Sequence, residues 1–195
     1  MNTFDKWDDD NVNIKTNLLR GIYANGFEQP SPIQKQAIIP MTQGKDLIAQ
    51  AQSGTGKTGA FTIGMLQYID ESIQETQAII LSPTRELASQ TNNVINNIGK
   101  MMNIKTSLTT GTISVSENIK EIEDKPHIIV GCPGRLNDML RRRKVNLNNL
   151  KLIILDEADE MLSVGFKDQV YQIFQYLPET ITVSLFSATL PKEVE

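Results

Sequence analysis

Six short apolar runs, at 47–49, 78–81, 107–109, 128–130, 152–155 and 182–186, recur along the chain. Between them lie stretches at 57–69, 86–101, 114–122, 135–142 and 166–177 whose apolar residues recur every three to four positions. Where a run is apolar throughout, as at 78–81, 128–130 and 152–155, it predicts a strand buried on both faces. Strands separated by helices predict an α/β domain, with a mostly parallel sheet flanked by helices on both faces. Upstream, Leu18, Leu19, Ile22 and Tyr23 form a helical stripe that Thr16 is placed to cap and Gly26 to end. Ser31 as N-cap and Pro32 at the first helical position start a second helix, which Pro40 is expected to kink or shorten and Gly44 to close. No internal repeat, low-complexity segment or linker interrupts the pattern, so the 195 residues are expected to form one domain.

In such sheets ligands bind beyond the carboxyl ends of the strands. The first run leads into Ala51-Gln52-Ser53-Gly54-Thr55-Gly56-Lys57-Thr58. Strand, glycine-rich turn and helix, in that order, make a nest of inward N–H groups for phosphate oxygens, backed by the positive end of the helix dipole. Lys57 can reach the β- and γ-phosphates, and Thr58 can offer its hydroxyl to Mg²⁺, so the loop reads as a nucleoside-triphosphate site. The strict pattern has Gly where this chain has Ala51. Residues 54–59 also fit the GxGxxG dinucleotide fingerprint, which expects an acid at the end of the next strand. The run at 78–81 ends instead in Ser82-Pro83-Thr84, with Asp70, Glu71 and Glu75 all before it. An ordinary glycine turn makes no demand for Lys-Thr at this point.

The run at 152–155 leads into Asp156-Glu157-Ala158-Asp159. An acid directly after an apolar strand suits a Mg²⁺-holding position, filled by Asp156, and Glu157 is placed to orient or deprotonate an attacking water. Such acids would also suit a helix start; the upstream phosphate loop favours the catalytic reading. Ser82-Pro83-Thr84-Arg85 and Gly131-Cys132-Pro133-Gly134-Arg135 each join a helix start, a small polar group and an arginine. That combination suits the backbone phosphates of a polymer, and equally an ordinary βα turn with a solvated arginine. Ser187-Ala188-Thr189 offers two hydroxyls to which spacing assigns no chemistry.

The net charge of −4 does not advertise nucleic-acid binding, so any such contact must use local clusters of Lys and Arg. One cysteine, Cys132, excludes an internal disulfide and a cysteine zinc site; one histidine, His127, excludes multi-histidine metal sites. The acidic N-terminus lacks the apolar segment of a signal peptide, and the apolar runs are too short to span a membrane. A cytoplasmic or nuclear protein without membrane partners is expected. His127, opening a strand, reads as structural. Arg141-Arg142-Arg143-Lys144 reads as a solvated helix end, and Met101, Met102, Met139 and Met161 as core filler.

Taken together, the motifs at 51–58, 83–88, 132–135, 156–159 and 187–189 resemble the first RecA-like domain of the DEAD-box ATP-dependent RNA helicases. Phe27 with Pro30-Ser31-Pro32-Ile33-Gln34 resembles that family's adenine-reading Q motif. The resemblance covers the whole chain, with 1–44 as the Q-motif region and 45–195 as the P-loop core. Runs at 18–24, 155–162 and 165–168 are most similar to the family's eukaryotic translation-initiation member.

The resemblance implies ATP and Mg²⁺ as cofactors. Gln34 would hydrogen-bond adenine with Phe27, and Trp7 beside it, against the base; Ser53, Gly54, Thr55, Gly56, Lys57 and Thr58 would hold the phosphates. It implies that Pro83, Thr84, Arg85, Gly111, Pro133, Gly134 and Arg135 grip one strand of single-stranded RNA or a short RNA duplex by its backbone. Asp159, Ser187 and Thr189 would couple nucleotide to RNA. Three departures stand out: Trp7 replaces Phe, Thr110-Gly111 replaces a glycine pair, and Cys132 replaces a threonine. Since the chain ends at Glu195, an N-terminal fragment is expected, a monomer whose second RecA-like domain and arginine finger lie elsewhere. The implied function is RNA-dependent ATP hydrolysis coupled to local duplex unwinding in translation initiation, alongside its scaffold proteins. The alternative is a non-catalytic nucleotide- or partner-binding module on the same fold, against which Lys57, Asp156 and Glu157 speak. A DNA translocase is disfavoured by Gln34 and by Asp159.

Overall fold

The computed structural model describes residues 3–189. Six parallel strands form one sheet: β1 (Leu47–Gln50), β2 (Ala78–Leu81), β3 (Thr106–Thr109), β4 (Ile128–Gly131), β5 (Leu152–Asp156) and β6 (Thr182–Ser187), in the spatial order β1-β6-β5-β2-β4-β3. The helices are α1 (Thr16–Ala24), α2 (Pro32–Thr42), α3 (Lys57–Tyr68), α4 (Arg85–Ile98), α5 (Val115–Glu123), α6 (Pro133–Arg141), α7 (Ala158–Met161) and α8 (Lys167–Tyr176). The predicted fold class is the observed one.

Helices α1 to α4 cover one face of the sheet, burying Ala49, Ile80, Val130, Ile154 and Phe186. Helices α5 to α8 cover the other, over Ile79, Leu81, Ile129, Ile153 and Leu155. The split follows from chain direction. The crossovers carrying α3 and α4 step one way along the sheet and the later ones step back, and right-handed connections then place them on opposite faces. The loops after β1 and β5 therefore leave towards opposite faces, and a crevice opens between them at the carboxyl edge.

Local signals set most helix ends. Gly26 takes φ +80° after α1, and the N–H groups of Gly26 and Phe27 return to the carbonyls of Tyr23 and Ile22, closing the end as a Schellman motif. Thr16 does not cap α1 as expected: Lys15 holds the N-cap position, and no side chain caps it. Lys15 instead donates through Nζ to the carbonyls of Leu66 and Ile69 and pairs with Glu71 at 2.8 Å, so docking onto the end of α3 decides where α1 begins. Nor does Pro40 shorten α2, which runs on to Thr42, because a proline in the last turn deletes only one helical bond. Helix α4 ends at Ile98, and a 3₁₀ turn (Lys100–Met102) follows. In it Met102 is buried, as Met139 and Met161 are in the core on the other face of the sheet, whereas Met101 is exposed, against the core-filler expectation. Among the described residues no helix is long and apolar enough to cross a membrane.

Candidate functional site

The loop after β1 turns through Gly54 (φ +83°) and Gly56 (φ +88°) into the start of α3. Its first N–H, from Ala51, donates to the Ser187 carbonyl at 2.8 Å, which ties the loop to the end of β6. Ser53, Gly54 and Thr55 are exposed and Thr58 is half-buried. Lys57 is buried, with Nζ 2.8 Å from Oδ1 of Asp156 at the end of β5. Asp156 is fully buried, and neither carboxylate oxygen receives a well-directed hydrogen bond. Burial pushes its pKa up, and the Lys57 ammonium only partly opposes this. Glu157 follows at φ +53°, a left-handed conformation that costs a non-glycine residue energy and turns the chain sharply into α7. Ala51, Ser53, Lys57, Glu157, Asp159 and Ala188 line a cleft of about 460 Å³, within the range of small-ligand sites.

Next to this loop lies the start of α2. Ser31 and Gln34 form a capping box: the Ser31 N–H donates to Gln34 Oε1 at 2.8 Å, and Ser31 Oγ accepts from the Gln34 N–H. Gln34 Nε2 donates to the Gly56 carbonyl at 3.2 Å. A Cβ on Gly56 or on Gly59 would lie 2.9 Å from that same nitrogen, so a larger residue at either position would displace the Gln34 amide. Phe27, half-buried, stands against Gly59. Trp7 does not join this group. It is fully buried, packs on Phe4 at 5.9 Å between ring centroids, and belongs to the core beneath α1 to α4. Aromatic bulk in a chain segment without a pocket of its own is driven into the core, and the expected contact of Trp7 with a base is corrected accordingly.

Further along the carboxyl edge, Asp159, Ser187 and Thr189 meet. The Asp159 N–H donates to Ser187 Oγ at 3.2 Å, Thr189 Oγ1 donates to Asp159 Oδ2 at 3.0 Å, and Ser187 Oγ donates to the Thr189 carbonyl. Burial raises the Asp159 pKa, but the hydrogen bonds from Thr189, the Glu160 N–H and Ser187 outweigh it and leave the pKa low. Beyond β2 and β4, Thr84 caps α4 by accepting from the Leu87 N–H, and Arg85 is exposed beside Gly111. Gly134 is exposed, whereas Pro133 at the start of α6 and Pro83 before α4 are buried, so neither proline presents its ring to an RNA strand, contrary to expectation. Cys132 offers α6 no side-chain cap, and burial pushes its thiol pKa up against the pull of Arg85. Thr110 is buried with its hydroxyl on Thr112, so the larger residue turns inward and leaves Gly111 at the surface. Arg135 is half-buried, and its Nη1 donates inward to the Ile113 carbonyl and Asn118 Oδ1.

A family model described as DEAD/DEAH box helicase matches residues 31–195. The chain belongs to this family. Among curated relatives it is 53% identical to an ATP-dependent RNA helicase eIF4A of Chaetomium globosum over 192 residues, 98% of this chain and 48% of that protein. It is 52% identical to the ATP-dependent RNA helicase FAL1 of Mycosarcoma maydis over 185 residues, 95% of this chain and 47% of that one. A crystal structure of a DEAD box protein from the hyperthermophile Methanococcus jannaschii superposes with a TM-score of 0.91 at 36% identity, covering 98% of this chain and 52% of that one. S. cerevisiae Dbp5 bound to RNA and ADP BeF3 gives 0.86 at 38% identity, covering 95% and 47%. This DEAD/DEAH box helicase chain thus spans about half the length of the relatives it matches.

Within this helicase domain three arrangements escaped sequence reasoning. The Ser31-x-x-Gln34 spacing was a readable capping-box signal. The Lys57–Asp156 pair and the Asn118–Arg135 contact join residues far apart in the chain and carried no sequence signal. His127 is a strut, as expected: Nδ1 accepts from the Lys105 N–H at 3.0 Å, which leaves Nε2 to donate to the Glu71 carbonyl. Arg141 and Arg142 both pair with Asp138, in keeping with a solvated helix end.

Proposed function

We propose that this chain is the nucleotide-holding half of an RNA-dependent ATPase that locally separates RNA duplexes. The observation that carries the reading is Lys57 and Asp156 in contact beneath the phosphate loop, with Glu157 beside them on one cleft. In this reading the loop amides and Lys57 bind the triphosphate, Gln34 and Phe27 take the adenine, and Glu157 places the attacking water. The buried, under-bonded carboxylate of Asp156 fits a cation. Among the described residues no three His, Cys, Asp or Glu side chains converge on a metal, so Mg²⁺ would be held by Asp156 and Thr58 together with water and phosphate oxygens. Bound there, Mg²⁺ neutralises phosphate charge.

Thr84, Arg85, Gly111 and Gly134 are exposed and suited to an RNA backbone, and Asp159, on the cleft and bonded to Ser187 and Thr189, would couple nucleotide to RNA. The relatives' greater length supports a second domain completing both sites. The resemblance to the translation-initiation member supports work in the cytoplasm beside initiation scaffold proteins; relatives named FAL1 match equally well, and genetic complementation of each function separates the two.

The test is phosphate release from ATP with single-stranded RNA, from this chain alone and with the downstream half of a longer relative added. The chain alone is expected to bind Mg·ATP weakly and turn it over hardly at all, with release appearing in the mixture. Glu157→Gln in the mixture is expected to abolish release while retaining ATP binding. Unchanged release in that variant would move the chain to the non-catalytic module.

A further inference from the structure

We propose that Asn118 is a positioning residue for the RNA-binding edge, holding the loop that carries Gly111 and the first turn of α6 in one fixed relation through Arg135. The inference rests on the reading that Arg85, Gly111 and Gly134 contact RNA. Asn118 sits in the first turns of α5 and is fully buried, where an amide must find partners on both its donor and its acceptor side. Its Nδ2 donates to the Leu108 carbonyl on β3 at 3.0 Å, and its Oδ1 accepts from Arg135 Nη1 at 2.7 Å. The same Nη1 donates to the Ile113 carbonyl at 2.6 Å. Leu108 precedes Gly111 and Ile113 follows it, so both feet of this loop are tied to one amide–guanidinium pair. Arg135 is the third residue of α6, directly after the exposed Gly134. Over the loop stands Arg85, whose Nη2 would lie 3.0 Å from a Cβ on Gly111.

The pair thus sets the relation of Gly111 to Gly134 without Asn118 facing the RNA itself. The chemistry selects an amide, since one side chain must donate to a carbonyl and accept from a guanidinium. Leucine fills the same space and can do neither. Aspartate keeps the Arg135 bond in a stronger, charge-assisted form but loses the donor to Leu108 and to Glu121 Oε2 at 3.5 Å, and turns an oxygen towards both acceptors.

The experiment measures binding of a labelled oligouridine to the full chain at low salt with Mg·ATP, alongside nucleotide affinity and thermal midpoint. Asn118→Leu and Arg135→Leu are each expected to weaken RNA binding by about tenfold and to leave nucleotide affinity unchanged. The double variant is expected to be no weaker than either single, because the two residues act as one unit. Asn118→Asp is expected to fall between the parent and Asn118→Leu, since it keeps the Arg135 bond and loses the bond to Leu108. If Asn118→Leu does not fold, the half-buried Arg135→Leu and the conservative Asn118→Asp carry the comparison. Parent-like RNA binding by a folded Asn118→Leu, or additive losses in the double variant, would overturn the proposal. Should the parent chain bind no oligouridine, the RNA half of the proposed function fails, and the amide resonances decide the positioning. Those of Gly111 and Gly134 are expected to move in both leucine variants, with Gly54 and Gly56 unmoved. Unmoved Gly111 and Gly134 would overturn the proposal.

Discussion

Asp156 carries a conflict that a single side chain can report. Taking a carboxylate out of water costs several kcal/mol unless it is well paired, and its partner here is one lysine at 2.8 Å. Burial wins, so the folded pKa lies above the unfolded value. A raised carboxyl pKa means the contribution to stability is fully present below the unfolded pKa and is lost as pH rises through the folded one. Asp156→Asn is therefore expected to raise the thermal midpoint of the nucleotide-free chain at neutral pH. That advantage should shrink as pH falls towards about 4. Added Mg·ATP should raise the midpoint of the parent and not of the variant. A lower midpoint for Asp156→Asn at neutral pH would show that Lys57 outweighs burial. Trp7 makes a simpler case: Trp7→Ala should cost about 3–5 kcal/mol in chemical denaturation. Nucleotide affinity of the folded fraction should be unchanged, since the ring packs on Phe4 in the core.

At the scale of elements, α2 and α3 act on each other through their N-termini. The capping box that starts α2 fixes the Gln34 amide, and that amide holds the last glycine before α3. Stability and ligand affinity are thereby linked in one short motif. Ser31→Ala should cost about 1 kcal/mol as a lost cap. It should also weaken ATP binding, because losing the Oγ that accepts from the Gln34 N–H loosens the first turn of α2, which carries the Gln34 amide. The backbone N–H that meets that amide is kept in alanine. Lower stability with parent affinity, read by denaturation and nucleotide titration, would separate the two roles.

For the molecule as a whole, a net charge of −4 leaves RNA attraction to a few local cations. Arg85 is exposed on the proposed edge, whereas Arg135 is partly spent on Ile113 and Asn118. RNA binding by this chain should therefore depend only weakly on salt, at about 0.7 log units of affinity per log unit of salt for each phosphate met. Arg85→Ala should flatten the slope by about that amount, measured from titrations at several salt concentrations. A steep slope in the parent, untouched by Arg85→Ala, would place the contact elsewhere.

Much of this architecture was legible in the linear chain because it is governed by local rules. Continuous apolar runs became the central strands, Gly26 and Ser31 marked helix ends, and the glycine loop with Lys57 and Asp156 stood at strand ends where a parallel sheet gathers its ligands. Those signals are short-range, so spacing alone carries them. What spacing could not carry was decided by burial and by pairing across the sheet. Thr16 lost its cap role to a lysine docked on α3, Met101 stayed at the surface, and Trp7 went to the core. Arg135 turned inward because a buried amide on another helix needed a donor. Each outcome depends on which group lies opposite, and only the packed sheet and its crossovers determine that.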